Sequence, residues 1–278
     1  MRPPSLYHAA IVRIPLSAIA LLFTAACAAP APREPLPAPK PLPLAGETLR
    51  IDGCEAFLIL PATRAAEQPT PWVFYAPTLR GLPSKAETWM FERFLANGIA
   101  IAGIDVGESY GSPAGRAHYS ALHEHLVHER GLSPRPVLLG RSRGGLMTLA
   151  WACDHPDRVA AFAGIYPVCD LRSYPGLAKA CNAYECTEAE LQANLATCNP
   201  IERLAPLARA GVPLFAIHGD QDTTVPLADN SAAVERRYKA LGGEMELHVV
   251  PGHGHDMDRS FFQSEALVAF VCRHARRQ

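Results

Sequence analysis

Short apolar runs recur along the chain from about Gly46 onward, and amphipathic segments lie between them. Phe57–Leu60, Val73–Ala76, Ile99–Ile104, Val137–Leu139, Ala161–Tyr166, Leu214–His218 and Leu247–Val250 read as strands. Several are apolar without alternation, the pattern of strands covered on both faces. Helices are predicted over Thr88–Ala96, His118–Arg130, Gly145–Asp154, Leu227–Leu241 and Phe261–His274. Three of these stop at Gly98, Gly131 and Gly242, a common way for a helix to end. Strand–helix alternation predicts an α/β fold, with a mostly parallel central sheet and helices on both faces. The stretch 168–207 breaks the alternation and is longer than an ordinary connection, so it reads as a small lid insertion.

The first 45 residues follow a different pattern. Residues 1–26 hold Arg2 and Arg13 and no acid, and their apolar run from Ile14 to Ala26 is too short to span a bilayer, which needs about 20 residues. A basic start, a short apolar run and small residues at its end read as an export signal. The ending Leu21-Leu22-Phe23-Thr24-Ala25-Ala26-Cys27 resembles a bacterial lipoprotein signal, which implies cleavage before Cys27 and its lipidation. Thr24 stands where an aliphatic residue is usual, and a plain secretory signal cut within Ala26–Ala29 is the alternative. Pro30–Pro43 then has seven prolines in fourteen residues. Proline fixes φ and lacks an N–H, so residues 27–45 read as a Pro-rich tether in which Pro30–Pro43 forms roughly 40 Å of semi-rigid polyproline II spacer. The expected product is an exported protein of the bacterial periplasm or outer membrane, held to the membrane through a lipid anchor, with its folded domain at 46–278.

Composition narrows the classes further. The chain of 278 residues is 49% hydrophobic and 19% charged, enough apolar content for a full core and unlike a disordered chain. Lys and Arg number 26 against 27 Asp and Glu, so no basic surplus is available for nucleic acid.

Candidate chemistry falls at three strand ends. The first is Gly140-Arg141-Ser142-Arg143-Gly144, a G-x-S-x-G sequence between an apolar strand and an apolar helix. A serine on such a sharp turn is lifted clear of the sheet, and the glycines avoid clashes inside the turn. The helix that starts there turns its free N–H groups toward developing negative charge. The second is the turn after Leu214–His218, which carries Asp220 and Asp222. Either carboxylate has the chemistry to orient a histidine and stabilise its imidazolium. The third is Pro251-Gly252-His253-Gly254-His255, which offers two imidazoles as general base.

With these motifs in this order, the region from about Phe57 to the C-terminus resembles the α/β-hydrolase superfamily, including its esterase, dienelactone-hydrolase-like and prolyl-oligopeptidase-like members. The resemblance of His218-Gly219-x-x-Asp222-x-x-Val225-Pro226 to the usual acid turn selects Asp222. That of Gly252-x-Gly254-His255 to the usual histidine turn selects His255. It implies a Ser142–Asp222–His255 triad and an oxyanion hole from the N–H of Arg143 and one further donor. Aligning Ala76-Pro77 with the His-Gly of many relatives places that donor at Thr78, since Pro77 has no N–H. The Arg143 side chain has two expected roles: contact with an oxyanion or acidic substrate group, or a surface ion pair.

Other groupings carry less. His123-Glu124-His125-Leu126-Val127-His128 lacks the second histidine of H-E-x-x-H, so a solvated histidine-rich face is expected. His253, His255, Asp256 and Asp258 are not joined by a third ligand cluster, so no metal is expected. No cofactor is implied. Four cysteines fall in the lid. A helix over 187–197, opened by a Thr187/Glu190 capping box, would hold Cys186 and Cys198 about 18 Å apart. Cys169–Cys181, across Pro175-Gly176, is then the expected disulfide. The sequence thus predicts an exported serine hydrolase, with carboxylic-ester hydrolysis of a small-molecule or polysaccharide ester as its main expectation. A prolyl-oligopeptidase-like peptidase is the first alternative, set second because the region before Phe57 is short for that family's N-terminal domain. A carbohydrate esterase and a non-catalytic surface binder are the others.

Overall fold

The computed structural model describes residues 40–64 and 67–276. The signal, Cys27 and most of the tether lie outside them. Eight strands form one sheet in the order β1-β2-β4-β3-β5-β6-β7-β8. They are β1 (Glu47–Ile51), β2 (Cys54–Ile59), β3 (Trp72–Tyr75), β4 (Ala100–Ile104), β5 (Val137–Arg141), β6 (Ala161–Ile165), β7 (Leu214–Gly219) and β8 (Met245–Val250). β1 and β2 run antiparallel to their neighbours, and β4, β3, β5, β6, β7 and β8 pair in parallel.

Successive side chains on the central strands feed two separate cores. On β3, Trp72 and Phe74 point to one face, where helices α2 (Pro113–Arg130), α3 (Gly144–Asp154) and α8 (Ser231–Ala240) pack through Leu122, Trp151 and Tyr238. Val73 and Tyr75 point to the other, against α1 (Thr88–Ala96), the short α9 (Arg259–Phe262) and α10 (Glu265–Ala275) through Phe94, Phe261 and Phe270. This two-sided cover explains why the strands read as unbroken apolar runs. Burying each such aromatic contributes about 2–3 kcal/mol, so Phe74→Ala is a core-breaking change.

Several boundaries differ from the expectation. β1 was not anticipated; it joins β2 through Asp52 (φ 48°) and Gly53 (φ 79°), an Asp-Gly turn of the type that closes two-residue hairpins. α2 starts five residues early, because Ser112 caps it by accepting from Gly115 N and Pro113 occupies the first turn. Lys40, Leu42 and Leu44 belong to the packed body: the buried Lys40 donates to Arg80 O (2.9 Å) and Asp105 (3.2 Å), and both leucines meet the α1/α10 core. Among the described residues no helix is long and apolar enough to cross a membrane.

The 168–207 region is a cap of short helices, α4 (Leu177–Ala180), α5 (Glu188–Ala193), α6 (Leu195–Cys198) and α7 (Ala205–Arg209), with its own small core of Leu171, Leu177, Leu191 and Leu195. Its base is pinned by the buried Asn230, whose Oδ1 accepts from Cys169 N (2.9 Å), and by the buried Asn199, which accepts from Leu171 N (3.1 Å). Two expectations fail here. The Thr187/Glu190 capping box forms, but the helix breaks at Asn194, so 187–197 is not one rod. Nor is there a Cys169–Cys181 disulfide. Cys169 is buried in the main core with its thiol toward Pro167 O, whereas Cys181 packs with the cap. Cys181 instead opens a Schellman turn whose last residue is Cys186, through Cys186 N→Cys181 O (3.2 Å) and Glu185 N→Asn182 O (3.2 Å).

Candidate active site

β5 ends at Arg141, and the chain turns into α3 through Ser142, held at φ 50°. That left-handed conformation is unfavourable for a side-chain-bearing residue and persists only when its surroundings enforce it. They do so here: Ser142 N donates to Ile165 O (3.0 Å), and Ser142 O accepts from Gly145 N and Val168 N (both 2.9 Å). Gly140 is required by close approach, since a Cβ there would stand 2.8 Å from the Gly145 backbone.

Ser142 Oγ lies 2.9 Å from His255 Nε2, and His255 Nδ1 lies 2.7 Å from Asp222 Oδ2. The structure therefore joins the three selected side chains into one hydrogen-bonded chain, although 113 residues separate the serine from the histidine. The Asp222 carboxylate is fully buried, and its Oδ1 accepts from Thr224 N (2.9 Å) and Val225 N (2.8 Å). These bonds secure the carboxylate in place. The rivals have other work. Asp220 accepts from Gly252 N (2.7 Å), and His253 pairs with Asp256 (3.3 Å).

Thr78 is buried and lines a cavity of about 140 Å³ together with Ser142, Arg143 and His255. Its methyl group packs toward Gly144 at the start of α3, so the loop after β3 and the helix N-terminus meet beside the serine. The Arg143 guanidinium lines the same cavity and pairs with Glu108 on the loop after β4. Of the two roles the sequence left open, the ion pair is the one formed.

Four more residues shape the site without having been anticipated. Tyr166 follows β6 at φ 35°, and its ring centre stands 4.3 Å from that of His255. Burial pushes its phenol up to about 12, against the pull of Arg141, so it is a neutral donor at ordinary pH. His218 lies wholly buried under the triad: its Nε2 is 2.8 Å from Val225 O and 3.4 Å from Asp222 Oδ2, while Nδ1 meets Ser231 Oγ at 2.8 Å. Burial lowers its pKa below the usual 6.5 and favours the neutral ring. Arg141 lines the cavity and pairs with the fully buried Glu87 at 2.8 Å. The Ser84-x-x-Glu87 capping box was the visible signal for Glu87, but nothing local tied it to Arg141, 54 residues away.

Of the histidines on α2, His118 pairs with Asp52 and His128 with Glu124, while His123 is buried with Nε2 2.8 Å from Pro134 O. They reach no common point with the serine. Among the described residues no cluster of three or more His, Cys, Asp or Glu is arranged to hold a metal ion.

An arrangement of this kind shifts a proton from a serine to an imidazole whose charge is buffered by a carboxylate, which is the machinery of acyl transfer. Comparison with known proteins points the same way. Over 134 residues the chain is 28% identical to the acylamino-acid-releasing enzyme of Arabidopsis thaliana, covering 45% of this chain and 17% of that protein. Its fold matches a puromycin-hydrolyzing peptidase of Mycobacterium tuberculosis with a TM-score of 0.66 at 19% identity, over 84% of this chain and 40% of that one. It also matches Est1E from Butyrivibrio proteoclasticus with a TM-score of 0.60 at 17% identity, over 82% of this chain and 98% of that one. The chain thus spans well under half the length of the two peptidase relatives. Residues 119–277, more than half of the chain and including Ser142, Asp222 and His255, match the model of the prolyl oligopeptidase family. The chain belongs to that family and is a serine hydrolase on the α/β-hydrolase fold.

Proposed function

We propose that this protein is a serine peptidase acting on short peptides or acylated amino acids through an acyl-enzyme. The observation that carries the reading is the continuous Ser142–His255–Asp222 hydrogen-bond chain at the edge of a cavity. Ser142 attacks the acyl carbon while His255 takes its proton. The tetrahedral oxyanion is received by the N–H groups of Arg143 and Thr78, each worth about 10²–10³ in turnover if it acts as such donors usually do. His255 then gives its proton to the leaving amine, and water repeats the sequence on the acyl-enzyme. Asp222 orients His255 and stabilises the imidazolium.

The ranking of bond types reverses the sequence expectation. That expectation set the peptidase second on the length of the region before Phe57, and membership of the family supports the peptidase reading directly. Ester hydrolysis is the second reading. The fold match covers 98% of Est1E. An ester reaches the same acyl-enzyme with a better leaving group. The export signal, the Cys27 lipid anchor and the tether are part of the proposal, with the periplasm or outer membrane as the place of action.

A fluorophosphonate probe should label Ser142 in the parent and nothing in Ser142→Ala. Fluorogenic peptide amides and short 4-nitrophenyl esters then rank the two bond types. Retained turnover in Ser142→Ala, or no labelling of the parent, overturns the mechanism. Cleavage of esters alone overturns the peptidase reading.

A further inference from the structure

The residue before the nucleophile is a cation built into the wall of the cavity. Arg141 Nη1 donates to Glu87 Oε1 at 2.8 Å. Glu87 is saturated without help from any ligand: the same Oε1 accepts from Tyr75 OH (3.1 Å), and Oε2 accepts from Ser84 N and Ser84 Oγ (both 2.8 Å). The guanidinium is not saturated in this way. It has five N–H donors. Besides the one on Glu87, it hydrogen-bonds Tyr166 on the cavity wall, its Nη2 meets Met257 Sδ (2.8 Å) at an exposed position, and its carbon lies 4.9 Å from the Phe262 ring centre. A thioether is a weak acceptor on a flexible side chain, readily displaced by an oxygen. The ion pair is therefore directional, with its carboxylate fully buried and its guanidinium on the cavity wall. Arg143 lines the same cavity, and the lining contains no Asp or Glu.

We infer that the cavity beside Ser142 is a subsite for a short acidic group, with Arg141 as the residue that reads its carboxylate. The group is the side chain of the residue whose carbonyl Ser142 attacks, so the substrate class is peptides or acyl amino acids cleaved after glutamate or aspartate. Arg141 grips the carboxylate by its planar fork, while Leu79 and Leu82 cover the methylene stem. At about 140 Å³ the cavity suits one side chain rather than a long acyl group. This specificity rests on the serine-hydrolase reading above.

The test uses two substrates that differ only in carboxylate against carboxamide: N-acetyl-glutamyl and N-acetyl-glutaminyl 4-methylcoumaryl-7-amides, with the matching thiobenzyl esters to cover either bond type. The full chain should prefer glutamyl over glutaminyl in kcat/KM by about tenfold, with most of the difference in KM. Arg141→Gln should bring the ratio below threefold. Arg141→Lys keeps a cation opposite Glu87 and should fall between the two, since it lacks the fork. A parent ratio below threefold overturns the inference without any variant having to fold. So does a ratio that survives unchanged in Arg141→Gln. If Ser142 takes the fluorophosphonate probe, the serine-hydrolase reading stands and only the acidic subsite fails. If Ser142 does not react with the probe, both fall.

Discussion

Gly219→Ala should disable the site without substituting any triad residue. Gly219 ends β7 directly before the acid turn, and a Cβ there would stand 2.1 Å from His253 O, 2.7 Å from His253 C and 3.0 Å from Gly254 O. All three are backbone atoms of the histidine turn, so no side chain can swing aside. Restoring ordinary contact moves that turn by roughly 1 Å. The turn is tied to its neighbour by Gln221 N→His253 O (2.9 Å) and Gly252 N→Asp220 Oδ1 (2.7 Å), so the shift strains those bonds as well. His255 rides on the turn, and its bonds of 2.9 Å to Ser142 and 2.7 Å to Asp222 tolerate no such displacement. Overpacking of this kind costs about 1–3 kcal/mol of stability. Misplacing a catalytic group by about 1 Å costs on the order of 10² in rate. The assay is the rate of fluorophosphonate labelling at Ser142, read beside the melting temperature. A Gly219→Ala protein that melts within a degree or two of the parent and labels within threefold of its rate would refute the close-approach reasoning.

Two further outcomes follow from burial. The pKa values of His123 and His218 are lowered from 6.5, chiefly by burial, so both stay neutral in the fold while the unfolded chain takes up protons below about pH 6.5. Stability contributed this way is present above that pH and is lost as pH falls, by at most about 1.4 kcal/mol per pH unit for each group. The melting temperature should decline from pH 6.5 to 5, less steeply in His123→Gln, and a flat profile over that window would contradict it. Asp170, whose pKa burial raises but bonding to Arg172 lowers on balance below 3.8, acts only in stronger acid. Cys153 and Cys169 are buried, and burial pushes both thiols up, that of Cys153 to about 12. An aromatic disulfide reagent at pH 8 should modify Cys181 and Cys186 in the folded protein and reach Cys153 and Cys169 only in denaturant. Peptide mapping that finds Cys169 modified as fast as Cys186 would show that the core around it is open.

The sequence was most legible where chemistry and local geometry coincide. The strand runs, the serine turn and the helix stops are statements about neighbours in the chain, and α1 falls on Thr88–Ala96 as read. Legibility failed where a local signal was present but passed over, as with Asp52-Gly53 and Ser112-Pro113. It failed for a second reason in the cap. A capping box fixes where α5 begins and says nothing of the break at Asn194, whose side chain donates to Glu190 O (2.8 Å). Position along the chain puts Cys169 in the cap, yet the fold packs it into the main core. The Arg141–Glu87 pair is illegible for the same reason as most tertiary contacts, since each partner alone looks like a surface charge.

The choice between Asp220 and Asp222, and between His253 and His255, shows how function and support are divided within one turn. In each turn the earlier residue of the pair bonds elsewhere, Asp220 to the backbone of Gly252 and His253 to Asp256. The residues turned away build the mount: Asp220 holds the backbone of Gly252, and the carbonyl of His253 holds that of Gln221. The acid turn and the histidine turn are therefore laced together by the residues that resemble spare catalytic groups. Removing Asp220 should accordingly slow the chemistry by loosening His255, while leaving a labelled serine. Losing Asp222 removes the charge that the imidazolium needs, and no loosening of the turn can supply it.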